Sequence, residues 1–507
     1  MKSRRAAAVL ALLLVFVLLP AGGETSPGAA LPPGRAVTPD EAARIDAYVQ
    51  EQMREGRIPG LALAVVRDGQ AAYLKGYGVA EGARPVTPQT PFYIGSVGKT
   101  ITALAIRRLA GEGKVRYDAP VTDYIPWFTL ADPDAAARIT ISHLVRHTSG
   151  LSNADGVAPY TYSAAYSIED VVRRLARVAP ARRPGVLEEY SNLNYIILGL
   201  VVEKASGMAY GDYVQKYIFD RLGMAHSHTS PEAAQRDGLA PGHMLLYGIP
   251  VTTRLPLPRA QVPAGFQMSS AEDMARFASL YLTNGYLDGE SVFEGNELAE
   301  AGAQAAGGAH YGTYFMPERG QPAGLLGYSG HLGASSDYTS ALLVNQSRRT
   351  AVVVLANANN GFQDPAISSQ TIANGVCTIL DTGAQPRILR PDASQAARGL
   401  IFPALTLAFL AFRALGVRGF QKRLRRGRLR GALAMAGFAL DGVLALVLLY
   451  AAPLVFDVSW GYLLNSNPAM WLPVLVAGVS LAVVAVLKAA LLIRGRAAAK
   501  RLAAAAA

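Results

Sequence analysis

The chain has 507 residues and a single cysteine, Cys377. It can therefore form no intramolecular disulfide, and it has no C-x-x-C pair of the kind that holds zinc or an iron–sulfur cluster. Histidines number seven, and the one close pair, His226-x-His228, has a spacing more common in surface turns than in metal sites. No G-x-S-x-G stretch is present, which excludes the strand–turn–helix nucleophile elbow. The nearest approach, Gly327 to His331, ends in histidine instead of glycine. Gly98-Lys99-Thr100 ends like a phosphate-binding loop, but that loop needs a glycine at position 93, where Tyr93 stands. A side chain there blocks the close wrapping of backbone around phosphate. No internal repeat is visible.

Acidic charge is scarce in one place only. The formal net charge is +11, but residues 401–507 alone carry +11 and residues 1–23 carry +3, leaving −3 for residues 24–400. The central region is mildly acidic, so no nucleic-acid partner is expected. Residues 1–23 read as an export signal: Lys2, Arg4 and Arg5, then the apolar run Ala6 to Leu19, then small residues up to Gly23. A signal peptide over 1–23 places the central region outside the cytoplasm.

The far end reads as a transmembrane region over 399–507, with spans at about 399–416, 431–456 and 469–490. The segment 418–430 holds seven Lys or Arg and no acid, whereas Asp457 to Pro468 holds no Lys or Arg. The positive-inside rule puts the basic loop and the C-terminus in the cytoplasm. Contact with membrane lipid through these helices is expected. Asp441 falls midway along the second span, where a charge is costly unless it meets another helix.

Between the two ends, residues 24–380 form the expected catalytic domain, joined to the membrane by a linker over 381–398. Thr38-Pro39-Asp40-Glu41 has the signature of a helix start, and the helix is expected to run to Arg54. Residues 61–80 read as two strands about the turn Arg67 to Gln70, and residues 338–358 as two more about Asn345 to Arg348. A closing helix is expected over 364–380. Strands at both ends with helices between them predict one sheet built from the two ends of the domain and a helical insertion.

Ser96-Val97-Gly98-Lys99 is the only S-x-x-K in the chain. If a helix starts near Ser96, Lys99 lies one turn on along the same face. Its amine then reaches the Ser96 hydroxyl, either as a proton acceptor or as partner to another base, and the helix N-terminus offers N–H groups to a developing oxyanion. Tyr190-Ser191-Asn192 adds a phenol that serves as a base if the Lys99 cation lowers its pKa. Asn192 is placed to donate to a substrate carbonyl and to Lys99. On the glycine-rich stretch Gly327 to Gly333, Tyr328, Ser329, Gly330 and His331 are candidates for a substrate-facing wall, with the His331 N–H as second oxyanion donor.

Together, Ser96 to Lys99, Tyr190 to Asn192, His147 to Ser152 and Pro263 to Phe277 resemble the class C β-lactamase-related serine hydrolases. That group includes low-molecular-weight penicillin-binding proteins, D-peptidases and esterases. The resemblance covers about residues 40–380. It implies a mixed α/β lobe, with an antiparallel sheet, packed on a helical lobe (an α+β arrangement). It implies Ser96 as the acylated nucleophile, Lys99 and Tyr190 as acid and base, Asn192 in substrate contact, His147 as a loop-holding residue, and neither metal nor organic cofactor. Two departures stand out. Tyr328-Ser329-Gly330 takes the place of the family's K-T-G or H-x-G, so the cation that would meet a substrate carboxylate is missing. Phe266 replaces a glycine. The exported domain followed by three spans is also similar to the membrane peptidases that mature nonribosomal peptide prodrugs.

The expected activity is therefore a membrane-anchored extracytoplasmic serine hydrolase: a peptidase, amidase or esterase acting on acylated or D-amino-acid-containing peptides. A β-lactamase or D-alanyl-D-alanine carboxypeptidase is the alternative. A non-catalytic penicillin-binding sensor is the alternative from another class, and the short cytoplasmic segments argue against it. The topology has a direct test in a Cys377→Ser background. Ser466→Cys should react with an impermeant thiol reagent on intact cells, and Gln421→Cys only after permeabilisation. The reverse pattern would refute three spans with the C-terminus inside.

Overall fold

The computed structural model describes residues 35–246, 248–253, 258–283, 285–287, 290–291, 316–317, 327–359, 364–391, 403–409, 411–413, 415–417, 439–450 and 468–506. The expected signal peptide and the basic loop 418–430 lie outside the described residues.

Helix α1 spans Pro39–Gly56. The Thr38 side chain accepts from Glu41 N, and the Glu41 carboxylate returns the bond to Thr38 N, which closes a capping box ahead of Pro39. The helix runs slightly past the expected end and stops at Arg57, in left-handed conformation. Strands β1 (Gly60–Arg67) and β2 (Gln70–Glu81) form the first hairpin. Its turn residues Asp68 and Gly69 both have positive φ, as a two-residue hairpin turn of matching twist requires.

The next main elements are α2 (Gly98–Gly111), α3 (Asn192–Ser206) and α4 (Ala271–Leu282). Then come β3 (Ser329–Ala334), β4 (Thr339–Asn345), β5 (Thr350–Ala356) and α5 (Ser369–Thr382). The sheet is antiparallel and seven-stranded. Its main strands run in the order β3-β4-β5-β1-β2, with the two-residue strands Met316–Pro317 and Arg84–Pro85 at the edges. β1 pairs with β5 in the register Leu61↔Ala356 to Arg67↔Thr350, so the two ends of the domain meet at the centre of the sheet, as expected.

Period two along β1 explains why every residue of it is buried. Leu61, Leu63 and Val65 face a core shared with Ile45 and Tyr48 of α1 and Ile372 and Val376 of α5. Ala62, Ala64 and Val66 face a larger core that continues through α4 into the helical lobe around α2 and α3. Helix α2 is expected to be amphipathic. Instead it is buried on nearly all sides, because it runs through the middle of that lobe. The first part of the expected linker is not free. Leu389 exchanges two backbone bonds with the Gln52 side chain, and the Gly383 carbonyl accepts from Arg44.

Of the three expected membrane spans, one is represented by a helix of sufficient length. Helix α6 (Pro468–Ala506) contains the stretch Leu472–Arg494, with mean hydropathy 2.5. The other two correspond to shorter apolar helices, Pro403–Val417 and Ala439–Tyr450. The residues that would complete the second, 431–438 and 451–456, lie outside the described residues. Asp441 is fully buried and meets two cations, Lys488 Nζ at 2.7 Å and the Arg413 guanidinium. One carboxylate thus ties three apolar helices together. Removing its charge leaves buried Lys488 and half-buried Arg413 without their shared counter-ion. Asp441→Asn should therefore destabilise the detergent-solubilised protein by about 3 kcal/mol, the scale of a broken buried pair. The exchange Asp441→Lys with Lys488→Asp should recover part of the loss in a thermal melt. Additive losses in the exchange would show that no such pair holds the helices.

Candidate active site

Residues Phe92–Tyr93 pair with Met268–Ser269, and the chain then turns through Gly95–Val97 directly into α2. Ser96 thus precedes the first turn of a helix, where backbone N–H groups have no intrahelical acceptor. Gly95 has φ +51°, and a Cβ there would lie 2.5 Å from Ala334 N at the end of β3. Only glycine allows both the left-handed turn and this approach of the sheet to the nucleophile segment. Gly265 closes the other side. A Cβ there would lie 3.2 Å from the Gly95 carbonyl carbon and 3.4 Å from Ser96 N.

Lys99 is completely buried. Its Nζ lies 3.1 Å from Ser96 Oγ and 2.8 Å from Asn192 Oδ1, and it also donates to the Ala264 carbonyl. Among the described residues no carboxylate pairs with it, and burial pushes its amine well below the ordinary lysine range. A neutral amine has two N–H donors and one lone pair. Asn192 Oδ1 and Ala264 O can only accept, so they take the two donors and leave the lone pair to the Ser96 hydroxyl. Asn192 was expected to donate to Lys99, but it accepts. Its Nδ2 instead lies 3.4 Å from the Tyr162 hydroxyl.

The Tyr190 hydroxyl donates to Ser96 Oγ at 2.6 Å. The expected lowering of its pKa is reversed: burial pushes the phenol above its usual range. The physical reason is that the same enclosure drives Lys99 neutral, so little positive charge remains to favour a phenolate. His147 holds this tyrosine from behind, with ring centroids 4.5 Å apart and planes at 28°. Its Nδ1 accepts from Ser191 N at 3.1 Å and lies 2.9 Å from Asn194 Nδ2. The imidazole is pushed well below its ordinary value by burial. His226 and His228 both direct a ring nitrogen to the Asp237 carboxylate, at 3.0 and 2.7 Å.

The β3 wall requires two corrections. Tyr328 and Leu332 pack into the core on the α1–α5 side, so Ser329, His331 and Gly333 occupy the opposite face of the strand, toward α2. Tyr328 is buried, with its hydroxyl donating to Asp381 at 3.3 Å, and does not reach the cleft. Gly330 shares its face. The residues facing Ser96 are therefore His331 and Gly333, the outer members of an H-x-G form displaced by three positions from the expected site. The second correction concerns the backbone. Ser335 N donates to Tyr338 O, and the register pairs Ala334 with Thr339. In an antiparallel ladder, residues 331, 333 and 335 then direct N–H into β4, while 332 and 334 direct theirs away. The His331 N–H is spent in the sheet, and the Ala334 N–H, beside Gly95, is the one available to an oxyanion.

Three participants escaped the sequence reading: the Ala264 carbonyl, the Ala334 N–H and Tyr162. Backbone groups carry no residue-type signal, and Tyr162 lies in a short 3-10 turn, Pro159–Tyr162, with no motif of its own. Phe266 has φ −115°, a conformation that needs no glycine. Its ring meets Tyr93 and Tyr162 edge-on, each with centroids 6.0 Å apart.

The chain is similar to known proteins over most of its length. Residues 45–375 match the Beta-lactamase family model. The chain is similar to Protein flp of Staphylococcus aureus (strain COL), with 25% identity over 444 residues, covering 86% of this chain and 87% of that protein. It is similar to Penicillin-binding protein 4 of Amycolatopsis lactamdurans, with 31% identity over 322 residues, covering 60% of this chain and 82% of the relative. Among solved structures it resembles the octameric penicillin-binding protein homologue from Pyrococcus abyssi, with a TM-score of 0.55 and 26% identity over 68% of this chain and 78% of that one.

His331 gives the site a pH signature. Burial holds its imidazole down to about 3, against an ordinary value of 6.5. The unfolded chain takes up a proton that the folded one refuses, so stability falls as pH drops from about 6.5 toward about 3. His147 acts in the same direction. His331→Asn should flatten that decline in denaturant melts run across the window. An unchanged slope would show that His331 is not held neutral.

Proposed function

The chain belongs to the beta-lactamase family, and from that premise we propose a serine hydrolase in which Ser96 is acylated, with Lys99 and Tyr190 moving the protons. The observation that carries this reading is the contact of both the buried Lys99 amine and the Tyr190 hydroxyl with one oxygen, Ser96 Oγ.

The neutral Lys99 amine takes the proton of Ser96 as Oγ forms its bond to the acyl carbon. The ammonium so formed is stabilised by the faces of Tyr190 and Tyr195, at 4.8 and 5.7 Å from Nζ to the ring centroids. Negative charge develops on the acyl oxygen, where the Ser96 and Ala334 N–H groups donate. The Tyr190 hydroxyl gives its proton to the departing amine or alkoxide and is resupplied from Lys99. Water then attacks the acyl-enzyme by the same path in reverse: its proton passes by way of Tyr190 to Lys99, and Lys99 gives it to Ser96 Oγ as the acyl–oxygen bond breaks, which restores the hydroxyl and the neutral amine. Asn192 keeps Lys99 in register and presents its amide nitrogen to the substrate.

The proposed substrates are amides or esters of acylated or D-amino-acid-containing peptides. The support is the absence of a fixed cation at the substrate wall among the described residues. Tyr328 was expected to leave that position uncharged. The residue that faces the cleft is His331, and it too is neutral. A β-lactam or D-Ala-D-Ala terminus brings a carboxylate, and a charged partner for it is worth roughly 1.5–3 kcal/mol. We further propose that α6 anchors the enzyme in a membrane, with the catalytic domain on the extracytoplasmic side. The alignment with Protein flp, longer than the family match, supports a tail that belongs to this architecture.

Ser96→Ala should abolish turnover and covalent labelling by a fluorophosphonate or a penicillin probe. Lys99→Ala should lower both by several orders of magnitude, because base and nucleophile act as a unit. Labelling that persists at another serine would sink the assignment. On substrate choice, nitrocefin and a D-Ala-D-Ala peptide should be turned over about tenfold to a hundredfold less efficiently than a p-nitrophenyl ester or an N-acyl-D-amino-acid amide, since the missing charged contact counts at about 1.4 kcal/mol per decade. His331→Lys should narrow the gap. Nitrocefin turnover that matches the other substrates would contradict the proposed preference.

A further inference from the structure

A cavity of about 440 Å³ adjoins the nucleophile segment, and the proposed reaction does not use it. Tyr93, Phe266, Tyr338, Asp337, Thr253 and Arg84 are among the residues that line it. Its position follows from the chain. Tyr93 is three residues before Ser96. Phe266 follows Gly265, which packs on the Ser96 backbone. Asp337 lies three residues beyond Ala334, whose N–H faces the acyl oxygen. The cavity is thus lined by residues next in the chain to the Ser96 turn and to the end of β3, Ser335 among them.

Three rings form its apolar wall. Tyr93 meets Tyr338 with centroids 5.2 Å apart at 60°, and Phe266 with centroids 6.0 Å apart at 71°. Against them stands the Asp337 carboxylate, 4% exposed, accepting from Ser335 Oγ at 2.9 Å and from Thr253 Oγ1 at 2.6 Å. These two hydroxyls and its own backbone N–H still leave the carboxylate an unused lone pair, since it can accept about four bonds. Among the described residues no cation pairs with it. The cation in the same cavity, Arg84, donates instead to the Gly238 and Leu239 carbonyls, at 2.8 and 3.3 Å. A buried carboxylate without a counter-ion, bordered by aromatic faces, is the environment that favours a guest cation: the charge pairs with the acid, and the ring quadrupoles attract it.

We infer that this cavity receives a protonated amine carried on the acyl half of the substrate, so that the enzyme selects amino-bearing acyl groups over their neutral counterparts. The inference rests on Ser96 as the nucleophile and narrows the proposed substrates to amides or esters of amino-bearing acyl groups. It needs no turnover to be tested. Protection of Ser96 from a fluorophosphonate is measured with phenylalaninamide against N-acetylphenylalaninamide, in both configurations. A second pair, 6-aminohexanamide against hexanamide, tests a longer reach. In at least one pair the amine should protect at about tenfold lower concentration, the scale of one desolvated cation–aromatic and charge contact. Asp337→Asn should bring that ratio close to one. Tyr93→Leu, which leaves the Asp337 hydrogen bonds in place, should lower it and serves if the first variant fails to fold. Equal protection within both pairs, or a preference unchanged in the folded variants, would overturn the inference. Failure of the fluorophosphonate to label Ser96 at all would instead remove the nucleophile reading and the inference with it.

Discussion

The active site depends on one buried amine. Lys99 is enclosed at the junction of the sheet and the helical lobe, and its nitrogen is satisfied by groups from three other places in the chain: Ser96 just before its own helix, Asn192 at the start of α3, and Ala264 in the turn before α4. An ammonium in such a place would need a carboxylate, and among the described residues none pairs with it. The stable form is therefore the neutral amine, and with two of its partners limited to accepting, its lone pair is directed at Ser96. Burial alone converts an ordinary surface cation into a base.

The same enclosure accounts for the surrounding groups. Tyr190 is held as a neutral phenol, His147 as a neutral imidazole stacked on it, and His331 as a neutral imidazole on the strand opposite. Charge is avoided throughout the cleft, and the aromatic faces of Tyr190 and Tyr195 lie close to the Lys99 nitrogen. The acidic groups nearest in function are set apart from this nitrogen. Asp337, for example, sits in a separate cavity with hydroxyl donors.

The backbone does as much as the side chains. Gly95 and Gly333 let β3 approach the nucleophile turn more closely than any Cβ would allow, and this contact brings the Ala334 N–H to the site. The sheet can supply that edge because its central pair, β1 with β5, joins residues nearly 300 positions apart in the chain. The helical lobe between them then hangs from a rigid frame, and α2 enters it with Ser96 at its mouth.

Much of this was legible beforehand. The unique Ser96-x-x-Lys99 spacing, the capping box at Thr38 and Glu41, the hairpin turn at Asp68-Gly69 and the pairing of the domain's two ends all follow from local patterns whose physics is short-range. The family follows from four ordered motifs. What local pattern could not decide was which way a group faces and how deeply it is enclosed. Tyr328 lies one residue out of phase with the cleft face, and on a strand a single step exchanges the core side for the site side. The backbone N–H left outside the ladder beside Gly95 is that of Ala334 and not that of His331, because ladder alternation depends on register with β4. The direction of the Tyr190 pKa was misread from a neighbouring lysine because charge on that lysine is itself set by burial. Residue types and spacings are properties of the chain, so the sequence by itself determined the Ser96–Lys99 pair and the order of elements. Register, facing and dielectric arise only when distant segments pack together, so the tertiary structure alone decided which backbone groups face Ser96 and which buried groups are held neutral.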